Sequence, residues 1–207
     1  MKRQYYILLA GCLLLSFSAH SQRFNGGMLL GIAGTQVAGD TYSGFHKAGL
    51  FAGGFVNLQI SPRSIFQMEL EFFMKGSRQN PQPDKNEYDV YIFRANYVEM
   101  PLLYQFVINE KFQVEVGPSL GFFTNYYEEL NDQPITKNPP ARVSYQINVG
   151  LYVALTQKLK VNIRTNNSFL NIRSDNATGD VYRIFDYGQY NDCLVLSLFY
   201  QFKNQSE

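Results

Sequence analysis

The chain has 207 residues and a formal net charge of +1, with 45% hydrophobic, 15% aromatic and 17% charged side chains. Two cysteines and two histidines are too few for a disulfide framework or a His/Cys metal centre, and the near-neutral charge balance suggests no nucleic-acid partner. The charged share lies below the roughly 25% of a soluble domain, while Tyr, Phe and Gly are plentiful and Trp is absent.

The chain opens "MKRQYYILLAGCLLLSFSAHSQ". Lys2 and Arg3 make a basic start, Ile7 to Phe17 an apolar run, and Ala19-His20-Ser21 offers small residues where signal peptidase cuts. A secretory signal peptide is predicted over residues 1–21, with a mature domain over 22–207 that begins at Gln22. The run is too short to span a bilayer well as a helix. "LLAGC" also matches a lipoprotein box that would lipidate Cys12; against it, the apolar run continues past Cys12 to Phe17. Removal of residues 1–21 leaves 16 basic and 17 acidic residues, with Cys193 and His46 as the remaining cysteine and histidine.

After Gln22 the apolar residues recur with period 2, the signature of strands. In chain order the segments are 24–37, 47–59, 65–76, 92–106, 112–126, 142–155, 159–172 and 193–202. The clearest is "RVSYQINVGLYVAL". There Val143, Tyr145, Ile147, Val149, Leu151, Val153 and Leu155 share one face, and Arg142, Ser144, Gln146, Asn148, Gly150, Tyr152 and Ala154 the other. Short turns at 60–64, 108–111 and 156–158 alternate with long polar loops at 38–46, 77–91, 127–141 and 171–192. In an antiparallel meander this puts the short turns at one end and the long loops at the other, as in an outer-membrane barrel. The predicted fold is therefore all-β: a closed eight-stranded antiparallel up-and-down transmembrane β-barrel, preceded by the cleaved signal peptide.

Period 2 does not say which face points inward, and a soluble lipocalin-like ligand-binding barrel has the same alternation with the apolar face inside. Two features favour the membrane. The polar face is built from Gly, Ser, Asn and Gln with few charges, unlike a water-facing exterior. The apolar face carries Leu, Val and Ile rows bracketed by Tyr and Phe, as lipid and its interfaces require. With that choice Glu69, Glu71, Lys75, Glu99, Glu115, Arg142, Lys160 and Arg164 fall on the lumen face. Eight strands enclose a lumen that side chains can fill, where charges must pair. The expected pairing has Glu69, Glu99 and Glu115 sharing Arg164, with Lys75 assisting. Pro101, inside "NYVEMPLLYQF", removes one ladder hydrogen bond, and a bulge is expected to absorb it.

Several segments resemble the PorT-type, porin-like outer-membrane β-barrel family: "HKAGLFAGGFVNLQISPRSIFQMELEFFMKGS", "NYVEMPLLYQF", "FQVEVGPSLGFF" and a last strand ending "LFYQF". The resemblance covers residues 24–203, and its most specific part is N-Y-x-E-x-P-L. It implies an integral outer-membrane protein of a Gram-negative cell and, through PorT itself, a link to type IX protein secretion. Lys203 to Glu207 follow Phe202, a departure from barrels whose terminal aromatic closes the chain.

Other motifs add no chemistry. "GPSLG" matches G-x-S-x-G but sits in an alternating strand without the strand–turn–helix setting of a nucleophile elbow. The acids Asp84, Glu87, Asp89, Glu128, Glu129, Asp132, Asp175, Asp180 and Asp186 lack calcium-loop spacing and read as solvated loop charge. Asn176 begins an N-x-T sequon, uninformative in a bacterial envelope. Tyr182, Phe185, Tyr187 and Tyr190 form a candidate partner-contact loop, with an outer aromatic girdle as the alternative. The expectation is a structural or accessory envelope component that takes no cofactor or metal and catalyses nothing. Its partners are outer-membrane lipid and, by the resemblance, other envelope or secretion proteins, with no nucleic acid and no identified small molecule. A small solute porin and the soluble barrel are the alternatives.

Overall fold

The structure, a computed structural model, describes residues 24–42, 44–85, 88–136, 138–174 and 181–202. The predicted signal segment and lipobox, Asn176, and the acids Glu87, Asp175 and Asp180 lie outside the described residues.

Eight long strands form the wall: β1 (Phe24–Ala38), β2 (Lys47–Ser61), β3 (Ser64–Gln79), β4 (Tyr91–Val107), β5 (Phe112–Leu130), β7 (Val143–Ala154), β8 (Leu159–Ser168) and β11 (Tyr190–Gln201). The two-residue β6 (Gln133–Pro134) extends the end of β5, and β9 (Val181–Arg183) pairs with β10 (Asp186–Gly188) as a separate hairpin. The wall runs β4-β3-β2-β1-β11-β8-β7-β5, and β5 pairs back onto β4, so the sheet closes. Every pairing is antiparallel. All eight predicted strands are present, joined by short turns at one end and long loops at the other.

The alternation of burial decides which face is inside. Leu30 (59%), Leu70 (61%) and Leu196 (51%) point out of the barrel, whereas Glu69 (1%), Glu99 (0%) and Arg164 (1%) are enclosed. A soluble barrel would invert this arrangement, because exposed Leu and enclosed charge are both unfavourable in water. The lipocalin-like reading is thereby disfavoured.

Two details depart from the sequence reading. β8 stops at Ser168 rather than Ile172, because the following segment leaves the wall and turns over the barrel mouth. Pro101 causes no bulge. The β3–β4 register is the same on both sides of it, from Met68–Leu102 to Glu71–Glu99, and the ladder simply omits the intervening pairs. The irregularity in β4 falls at Asn96/Tyr97, against β5.

Candidate functional site

The lumen is the candidate site, and its middle is ionic. Arg164, on β8, donates from Nε and Nη2 to Glu115 Oε1 and Oε2 at 2.7 and 3.1 Å. It also donates from Nη1 and Nη2 to Glu69 Oε2 and Oε1 at 2.8 and 2.9 Å. One guanidinium thus holds two bidentate carboxylates, from β5 and from β3. These are the strong, geometry-fixing form of a charge-assisted bond. The Tyr152 hydroxyl accepts from Nη2 at 3.3 Å, and Gln67 donates to Glu69 at 2.6 Å and to Tyr152 at 3.1 Å.

Glu99 belongs to a second node. It pairs with Lys75 Nζ and accepts from Asn166 Nδ2 at 3.0 Å and Gln146 Nε2 at 3.2 Å. Lys75 also donates to Asn166 Oδ1 at 2.5 Å. The expected sharing of Arg164 by Glu99 is therefore corrected: Lys75 takes Glu99, and the Arg164 donors are used by Glu69 and Glu115. Glu71 is enclosed but differs from the rest. Its two oxygens accept no hydrogen bond, the nearest Arg164 nitrogen is 3.8 Å away, and its ladder partner on β4 is Glu99.

Glycine makes room for these carboxylates. Glu99 opposes Gly121, Glu115 opposes Gly150 and Glu71 opposes Gly53 across the ladders. A Cβ at Gly150 would stand 2.4 Å from Glu115 Oε1, and one at Gly121 would stand 2.6 Å from Ser144 Oγ. Which glycine faces which acid is set by the register between strands.

The two ends of the lumen differ. At the loop end, Ile172 packs with Val37, Tyr91, Phe93, Ala95 and Tyr97. Ile172 is tied to Gln189 through its own N–H at 2.8 Å, and Arg173 exchanges a bridge with the same residue. Arg173 donates to Glu128 at 3.2 and 3.0 Å, and the Tyr91 hydroxyl donates to Glu128 at 2.7 Å. Glu128 is thus a buried anchor for the crossing segment, not a solvated loop acid; β5 extends far enough to carry it. In the adjoining loop, burial pushes the Asp40 carboxyl up to about 6, more than the bonds from Ser77 and Tyr42 lower it.

At the turn end a cavity of about 630 Å³ is lined by Gln59, Gln113, Lys111, Glu110, Ala154, Leu155, Thr156, Gln157 and Lys160. Lys160 is enclosed and donates to Gln113 Oε1 at 3.1 Å, with no carboxylate partner among the described residues. Arg142 is exposed and precedes β7, so it takes no part in the lumen, because the strand begins one residue after it.

Of the candidate partner-contact loop, Tyr182 (57%), Phe185 (68%) and Tyr187 (60%) are exposed on the β9–β10 hairpin. Tyr190 is not: it is fully buried in β11 and donates its hydroxyl to Asp186 O at 2.6 Å. Arg183 fixes the hairpin to Asp192 with bonds of 2.8 and 2.6 Å. The G-x-S-x-G serine, Ser119, lies mid-strand and donates to Gln146 Oε1 at 3.2 Å.

A closed antiparallel sheet with apolar residues outside and charge inside defines a transmembrane β-barrel. The chain belongs to the outer membrane protein beta-barrel domain family, matched over residues 18–190. It is similar in structure to Ail, the attachment invasion locus protein of Yersinia pestis, at 13% identity and a TM-score of 0.52, over 86% of this chain and 98% of Ail. It is also similar to Neisserial surface protein A at 10% identity and a TM-score of 0.55, over 86% of this chain and 97% of that one. These likenesses concern the fold. No curated protein matches the chain.

Proposed function

We propose that this barrel is a non-conducting structural or accessory component of the outer membrane that works beside other envelope proteins. Its resemblance to PorT-type barrels makes a protein-secretion assembly the first partner to test. The observation that carries the reading is the Arg164 node, which joins β3, β5 and β8 across the lumen and leaves the middle filled. The exposed Tyr182, Phe185 and Tyr187 supply an aromatic contact surface at the loop end, on a hairpin tied to Asp192 through Arg183. Affinity purification from native membranes should recover envelope or secretion proteins, and recovery should fall when those three residues are replaced by Ser. Recovery of the barrel alone, with export of secreted proteins unchanged in a deletion strain, would contradict the reading.

A small porin is the second reading, favoured by the turn-end cavity. Export by the signal peptide is part of the proposal. Mass spectrometry should find Gln22 at the mature N-terminus, and a diacylated Cys12 would replace this with lipoprotein processing.

A further inference from the structure

Two exposed arginines, Arg78 and Arg94, flank the point where one ladder of the wall ends, and Lys47 lies enclosed beside them. The β1–β2 ladder continues to Lys47 and the β3–β4 ladder to Gln79, but the β2–β3 ladder stops at Phe51–Phe73. Across the loop ends of these strands lies a cleft of about 220 Å³, lined by Lys47, Ala48, Met74, Arg78, Ile92 and Arg94. No carboxylate lines it. Among the described residues none of Lys47, Arg78 and Arg94 forms an ion pair, in contrast to Lys75, Arg164, Arg173 and Arg183. Arg78 donates from Nε to Asn80 Oδ1 at 2.9 Å, and its terminal nitrogens have no hydrogen-bond partner among the described residues. The acid nearest along the ladder, Glu129, opposes Ile92, takes the Tyr127 hydroxyl and does not line the cleft.

We infer that this cleft binds the phosphate of a membrane lipid at the loop-end surface. Two exposed guanidinium groups suit a phosphate, which Arg engages by paired donors, and the enclosed Lys47 adds positive charge behind them. The lipid, rather than a free anion, follows from what continues below. Leu50, Phe72 and Leu70 are exposed on the same strands toward the barrel middle, a surface for acyl chains. With the short turns on the periplasmic side, as in barrels of this kind, the cleft opens to the outer leaflet. Clustered basic residues beside a membrane-spanning wall recognise anionic headgroups by the same electrostatics elsewhere.

The test uses the purified full chain in phosphatidylcholine nanodiscs doped with phosphatidic acid, read by native mass spectrometry after release from the disc. The wild type should retain phosphatidic acid in preference to phosphatidylcholine. Arg78→Gln with Arg94→Gln should weaken that retention about tenfold or more, equivalent to about 1.4 kcal/mol. Arg63→Gln with Lys111→Gln, an equal charge change at the turn end, should leave it unchanged. An unboiled gel shift confirms that each variant is a folded barrel. Equal retention by Arg78→Gln with Arg94→Gln and by the wild type would overturn the inference, as would an equal loss in Arg63→Gln with Lys111→Gln. Displacement of the lipid by millimolar inorganic phosphate would overturn the commitment to a lipid, since the anion alone would then suffice.

Discussion

Lys160 and Arg164 stand four residues apart on one face of β8, yet they behave differently. Arg164 is saturated by two carboxylates from two other strands, while Lys160 meets one amide oxygen at the floor of an open cavity. Charge on the lumen face therefore does not by itself close a barrel. A cation held by partners from across the lumen acts as a strut, because breaking it strands several buried charges at once. Lys160 has a single amide oxygen beside it, so its loss leaves no carboxylate without a partner.

The comparison can be broken most forcefully at its stronger member. Arg164→Met should cost about 3–5 kcal/mol, because Glu69 and Glu115 lose their common partner while remaining enclosed. Urea unfolding in lipid micelles, followed by gel mobility, measures it. Glu99→Gln should cost about 3 kcal/mol by leaving the Lys75 ammonium with amide partners only. Glu71→Gln sharpens the contrast. This acid is as deeply enclosed as Glu69 but accepts no hydrogen bond, so neutralising it should leave stability within about 1 kcal/mol of the wild type or raise it. Lys160→Gln should change stability by less than about 1 kcal/mol, because no carboxylate loses a partner and the new amide can still donate to Gln113.

The loop end adds a pH dependence of definite sign. Burial raises the folded-state Asp40 carboxyl to about 6 from an ordinary 3.8, so the folded state binds this proton more tightly than the unfolded chain does. Its contribution to stability is complete below about 3.8 and is lost as pH rises through about 6. Asp40→Asn should flatten that part of the stability profile; an unchanged slope between wild type and variant would place the titration elsewhere.

The wall was legible in the sequence because a barrel strand alternates without interruption, and alternation needs no long-range knowledge. Met68, Leu70 and Phe72 against Gln67, Glu69 and Glu71 already separate lipid from lumen. Membership of the central polar layer followed from parity for Glu69, Glu71, Glu99, Glu115, Lys75 and Arg164. Partner choice did not, because it depends on the stagger between strands that are neighbours only after closure. Glu99 therefore found Lys75 and Asn166, and Arg164 took Glu69 and Glu115. The ends were the least legible. Arg142 and Glu128 were misplaced by a strand that begins late and one that runs long. Tyr190 lies in the predicted 171–192 loop, whereas β11 begins with it. The Lys47, Arg78 and Arg94 cleft belongs to the same class, since three cations far apart in sequence become neighbours only where a ladder ends.

The central claim is that the lumen is closed at its middle by the Arg164 node. Planar-bilayer recording of the purified wild-type barrel tests it most directly. The account predicts at most small, rare openings, because no continuous water column passes the Arg164–Glu69–Glu115 layer. Stable, large single-channel steps from the unmodified protein would contradict it and establish the porin reading in its place.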